Sequence, residues 1–99
     1  MDKQYRIVRS YTAGVFAGYI ESREDLKSGL SVTMRDARRI WYWAGSASLS
    51  QLAMEGTSNP KDCKFPKAVD RVELTNVIEI LDCTDQAKES ILAVKEWKQ

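Results

Sequence analysis

Apolar and polar residues alternate with a period of two along most of this chain, the spacing of strands with one buried face. Tyr5, Ile7 and Arg9 alternate with Arg6, Val8 and Ser10, and Val15, Ala17 and Tyr19 alternate with Phe16, Gly18 and Ile20. The connector Tyr11-Thr-Ala-Gly14 joins these two strands as a hairpin, with Gly14 able to take a positive φ. Gly18, inside the second strand, predicts a bulge or a close backbone approach. Residues 22–29 are polar and read as a loop. Leu30, Val32 and Met34 alternate with Ser31, Thr33 and Arg35 as a third strand, Asp36-Ala37 turns or bulges the chain, and residues 38–44 follow as a fourth strand.

Helical spacing comes next. Ser48 and Gln51 form a capping box, Leu49, Leu52 and Ala53 share one face, and Gly56 ends the helix after about two turns. Residues 57–66 read as a loop bracketed by Pro60 and Pro66, with Phe65 as a core plug or a ligand platform. From 69 to 83 the period returns to two, with Val72, Leu74, Asn76, Ile78 and Ile80 on one side. Asn76 stands where a hydrophobe belongs, so it pairs with backbone, marks a bulge or serves a ligand. Thr84-Asp85 starts a second helix that buries Ala87, Ile91 and Val94. Trp97 is too large to dangle and packs back onto the sheet or a neighbouring subunit. These elements predict an α+β fold: an antiparallel β-sheet, a meander plus a C-terminal strand, with two short helices. Residues 1–99 make one domain.

Charge narrows the function. Fifteen basic and 14 acidic residues give a formal net charge of +1, so there is no excess field to hold a long nucleic acid. The chain contains no histidine, which removes the commonest member of hydrolase triads, acid–base pairs and zinc sites. Cys63 and Cys83 lack any C-x-x-C spacing and read as structural free thiols. The start Met1-Asp-Lys-Gln-Tyr-Arg6 lacks the apolar core of a signal peptide, and no stretch has the length of a membrane span. The expectation is a cytoplasmic protein that needs no cofactor or metal.

The most chemically pointed stretch is Arg35-Asp-Ala-Arg-Arg-Ile-Trp-Tyr-Trp-Ala-Gly45. As a strand it sets Arg39, Trp41 and Trp43 on one face and Arg38, Ile40 and Tyr42 on the other. A guanidinium beside two indoles suits a ligand carrying a phosphate and a planar base. The same residues also serve as ordinary core packing with a cation–π partner. On this basis Arg39→Ala should weaken ligand binding and leave the fold, whereas Trp41→Ala should mainly harm stability. No Gly-rich phosphate loop, nucleophile elbow or paired-carboxylate spacing is present, and this favours holding a nucleotide over changing it.

The segment Met34-Arg-Asp-Ala-Arg-Arg-Ile-Trp-Tyr-Trp-Ala-Gly-Ser-Ala-Ser-Leu-Ser-Gln-Leu-Ala-Met-Glu-Gly56, with Asn59-Pro, Cys63-Lys-Phe-Pro66, Val77-Ile-Glu-Ile-Leu81 and Val94-Lys-Glu-Trp97, resembles the first described type of phage Thoeris anti-defence sponge proteins. The R-R-I-W-Y-W run and the S-L-S-Q-L-A helix are the most specific parts. The resemblance implies a non-enzymatic protein of the bacterial host cytosol. It would sequester the TIR-derived signal 1''-2' glycocyclic ADP-ribose without cleaving it, so that the Thoeris effector stays inactive. It further implies homo-oligomers, built from dimers with pockets between protomers, and in some members hexamers that take cyclic di- or trinucleotides. In this sequence Phe65 would supply the pocket aromatic, Asn76 the pocket amide, and Arg38 or Arg39 the contact to the pyrophosphate. Two other readings stand beside it: docking onto a host protein through the Trp/Arg face, and single-stranded nucleic-acid binding, which the balanced charge disfavours.

Overall fold

The computed structural model describes residues 3–99, so the first two positions of the charged N-terminal stretch lie outside it. Strands β1 (Tyr5–Ser10), β2 (Gly14–Leu26) and β3 (Gly29–Arg39) come first. They are followed by α1 (Leu49–Glu55), a single 3-10 turn (Pro60–Asp62), β4 (Val69–Asp82) and α2 (Asp85–Ala93). All pairings between these strands are antiparallel, and β4 pairs with β3 on one edge and with β1 on the other. The α+β meander with two helices therefore curls into a closed four-stranded barrel.

So few strands close only if they bend sharply, and bulges supply the bends. Asp36 has φ 49° and Asn76 has φ 53°, and the pairing register shifts beside each of them. A third shift separates Ile20 from Ser22 in β2. Gly18 lies against the Asp36 bulge, where a Cβ would sit 2.9 Å from the carbonyl oxygens of Arg35 and Asp36 and from the Ala37 Cα. Only glycine fits there, as its place in the strand suggested. Asn76 is likewise a bulge, and it inverts the alternation: Leu74 points inward before it, Val77 inward after it, and Ile78 is 55% exposed.

Two expectations fail. Residues 22–26, read as loop, extend β2 as an exposed arm paired with β3 from Ser22↔Thr33 to Leu26↔Gly29. Backbone pairing needs no apolar side chains, so a ribbon wet on its β2 face leaves no hydrophobic period to read. Residues 38–44 are not a strand of their own. Strand β3 runs unbroken through the Asp36 bulge to Arg39, and beyond it the chain is tied by Ile40 N–H to Val15 O (2.8 Å) and by a lone bridge between Tyr42 and Lys64.

The core has two parts. Val8, Phe16, Ile20, Val32, Met34, Ala37, Leu74 and Val77 fill the barrel. Outside it, Tyr5, Ile7, Ala17 and Ile40 pack with Leu49, Leu52 and Ala53 of α1, Ala87 and Ile91 of α2, and Phe65. Ser48 Oγ accepts from Gln51 N–H, while the Gln51 side chain reaches Ala47 N–H instead of the cap residue's own. Gly56 has φ 80° and abuts Ser90, where any side chain would collide with α2. Thr84 caps α2 and donates to Met54 O at 2.7 Å, which locks the two helices together.

Both cysteines are buried free thiols. Burial raises the Cys83 thiol from its ordinary 9.0 to about 11, and Asp82 pushes the same way. Between about pH 9 and 11 the unfolded chain sheds a proton that the folded chain keeps, so stability falls as pH rises through this window. Urea melts across that range should show a steeper loss in the wild type than in Cys83→Ala. Parallel slopes would mean that the thiol is not the group responsible.

Candidate functional site

Arg39 ends β3 beside the β1–β2 turn. Its Nη1 donates to Ala13 O at 2.7 Å, and its Cζ lies 4.3 Å from the centre of the Phe16 ring. These contacts hold the guanidinium in place without neutralising it. Among the described residues no carboxylate lies within ion-pair distance of it, whereas Arg6, Arg9, Arg35 and Arg71 each have one. A positioned and unpaired fork is the group that a phosphate requires.

Beside Arg39 opens a cleft of about 540 Å³. The turn from Tyr11 to Val15 lines one side of it, and Arg39, Ile40, Trp41 and Trp43 the other. Trp41 is 63% exposed, while Trp43 is half-buried against the outer core. One indole is thus available to stack on, and the other is braced by packing. Tyr11, 80% exposed, adds a third aromatic. The volume lies within the range of about 300–1,000 Å³ usual for small-molecule sites. No acidic residue lines the cleft. A second hollow of about 400 Å³ between Pro60, Lys61, Lys95, Glu96 and Trp97 offers two ammonium groups and one carboxylate, but no guanidinium fork.

The structure thus brings together three of the six residues singled out in the sequence, Arg39, Trp41 and Trp43. It places the other three elsewhere. Arg38 is buried and donates Nε to Pro66 O (3.1 Å), Nη1 to Ile91 O (2.8 Å) and Nη2 to Phe65 O (2.9 Å). It stitches the end of β3 to the 65–66 segment and to the C-terminal carbonyls of α2, where a cation suits the helix dipole. Burial lowers its pKa, opposed by Tyr5 and Glu96. Phe65 is 0% exposed and stacks under that guanidinium at 5.5 Å, so it is the core plug and not a platform. Asn76 does not line the cleft; its carbonyl accepts Tyr11 N–H at 2.9 Å and so anchors the start of the turn that does. Tyr42, placed by alternation on the same face as Arg38 and Ile40, is 53% exposed with Lys64 Nζ over its ring. Lys64 also lies over the Trp97 ring, and the Trp97 backbone N–H donates to Phe65 O at 3.0 Å.

Tyr11 is not singled out by the sequence pattern, which places it in the connector between β1 and β2. An aromatic at the first position of a tight turn, where no strand face explains it, was the available signal.

Among the described residues no three His, Cys, Asp or Glu side chains gather as a metal site, and no helix is long and apolar enough to cross a membrane. Residues 3–91 match a family described as a domain of unknown function, DUF6948. The chain belongs to that family. No curated protein and no solved structure matches it. The DUF6948 match spans every residue lining the cleft and stops before Trp97.

With Trp41 mostly in solvent, the expectation that its truncation mainly harms stability is reversed. Trp41→Ala and Arg39→Ala should each change unfolding free energy by under about 1 kcal/mol in denaturant melts. A loss of more than about 2 kcal/mol in either would make that residue structural.

Proposed function

We propose that the Arg39–Trp41–Trp43 cleft holds a compact nucleotide, with phosphate on the guanidinium and a planar base against the indoles, and releases it chemically unchanged. The observation that carries this reading is the unpaired Arg39 fork set among aromatics in a lining free of carboxylate. Apart from the Tyr11 phenol the lining offers no general base, which supports retention over turnover. The resemblance to the anti-defence sponges makes the cyclic ADP-ribose isomer the first ligand to test. A homo-oligomer in the cytosol of an infected bacterium, starving the Thoeris effector of its activator, is the setting it implies. Cyclic di- and trinucleotides complete the panel.

Thermal melts with each nucleotide test the proposal, because a ligand at 100 times its Kd adds about 2.7 kcal/mol. Heating the complex should then return intact ligand. A hydrolysed product would point to an enzyme. Absence of a shift with any nucleotide would favour the second reading, a host-protein docking face, for which the exposed Tyr11, Trp41 and Tyr42 are suitable anchors.

A further inference from the structure

Ser10 closes β1 and is only 3% exposed. Alternation puts it on the same face as Val8, which is sealed in the barrel core, so a hydrophobe would suit the position. A hydroxyl buried there costs free energy unless it is paired. The pairing is complete: Ser10 Oγ donates to Thr75 O of β4 at 2.6 Å and accepts Ala13 N–H at 3.1 Å. Ala13 is then held through both of its backbone polar groups, because its carbonyl accepts from Arg39 Nη1 at 2.7 Å. Three hydrogen bonds in series thus run from β4 through Ser10 and the turn to the guanidinium. The turn also packs on that group, since a Cβ on Gly14 would lie 3.6 Å from Arg39 Nη1. Tyr11 N–H on Asn76 O ties the start of the turn to the same bulged stretch of β4.

A guanidinium carries five N–H donors, and Ala13 O takes one of them on Nη1. Among the described residues nothing accepts from the others, so Nε and Nη2 remain as a coplanar pair. That edge matches two oxygens of one phosphate. We infer that Ser10 is a positioning residue for the phosphate: by tying the turn to β4 it sets Arg39 in one orientation, with the Nε–Nη2 edge left for bidentate capture. This inference rests on the reading of the cleft as a phosphate site. A long side chain that wanders among rotamers gives up that freedom when it binds. Holding it beforehand removes the cost, and losing the hold should weaken capture about three- to tenfold.

NMR of the Arg39 Nε–H group tests this in the ligand-free protein and again with inorganic pyrophosphate, a phosphate probe with no base to stack. In the wild type the group should be rigid on the nanosecond scale, and the Ala13 amide should be protected from exchange. Neither measurement needs a variant to fold. Ser10→Ala should set Arg39 in motion and raise the pyrophosphate Kd about three- to tenfold. Ser10→Thr, which keeps the hydroxyl, should preserve both properties. A serine that only supports the fold would lower the melting temperature in Ser10→Ala yet leave Arg39 rigid and the Kd unchanged. That result, a mobile Arg39 in the wild type, or an unprotected Ala13 amide would each overturn the inference. Pyrophosphate that leaves the wild-type Arg39 signal unmoved would contradict the phosphate reading instead, and the ligand-free comparison of wild type with Ser10→Ala would still decide whether Ser10 positions Arg39.

Discussion

Phe65→Ala should destabilise the protein by about 3–5 kcal/mol, the usual cost of truncating a fully buried phenylalanine. A domain of this size holds only about 5–15 kcal/mol of stability in total. The ring is 0% exposed and belongs to the cluster that joins the barrel to both helices. Its removal also leaves the Arg38 guanidinium above a void, because that group now stacks on the ring. Thermal melting should show a fall of about 4–8 °C for each kcal/mol lost. A change of only a few degrees would mean that the neighbouring side chains collapse into the space.

Arg38→Ala should have an effect of similar size, about 3 kcal/mol or more. Three carbonyls, on Phe65, Pro66 and Ile91, each lose a charged donor, and such bonds contribute about 1.5–3 kcal/mol apiece without being additive. Phe65 O keeps the Trp97 N–H and Ile91 O keeps the Val94 N–H, which limits the damage at those two acceptors. Arg38→Lys should recover little, since an ammonium cannot reach three acceptors arranged around a fork. Because Arg38 and Phe65 touch, the double variant should lose less than the sum of the single losses. Urea denaturation measures all four. A loss under about 1 kcal/mol for Arg38→Ala would contradict the structural role and return this arginine to the list of ligand contacts.

These two residues also show where sequence reasoning ends. Alternation located β1, the first half of β2, β3 as far as Arg35, and β4, because one face of each strand is buried and the other wet. Gly18, Asp36 and Asn76 were legible as irregularities because each breaks a pattern, and all three lie at bulges that let four strands close. Closure itself was not legible, since β1 meets β4 across more than sixty residues of chain and no local signal encodes that pairing. The face assignment after β3 held for Arg39 and Trp41, which point outward, and for Ile40, which is buried. It could not tell which arginine would find carbonyls to satisfy it. Arg38 and Arg39 are chemically identical neighbours, and only the return of residues 65–66 and of the end of α2 to one side of β3 separates a structural guanidinium from an available one. Phe65 was undecidable for a related reason, because a loop residue carries no periodicity to reveal what it faces.

In the proposed function, Arg39 and the indoles beside it capture a phosphate-bearing nucleotide and leave it intact. Native mass spectrometry of the wild type and Arg39→Ala, each mixed with the cyclic ADP-ribose isomer and with cyclic di- and trinucleotides, tests it most directly. The wild type should form a complex carrying the full ligand mass with at least one of these nucleotides, and a folded Arg39→Ala chain should lose it. No nucleotide adduct on the wild type, or an adduct that persists unchanged in Arg39→Ala, would contradict it.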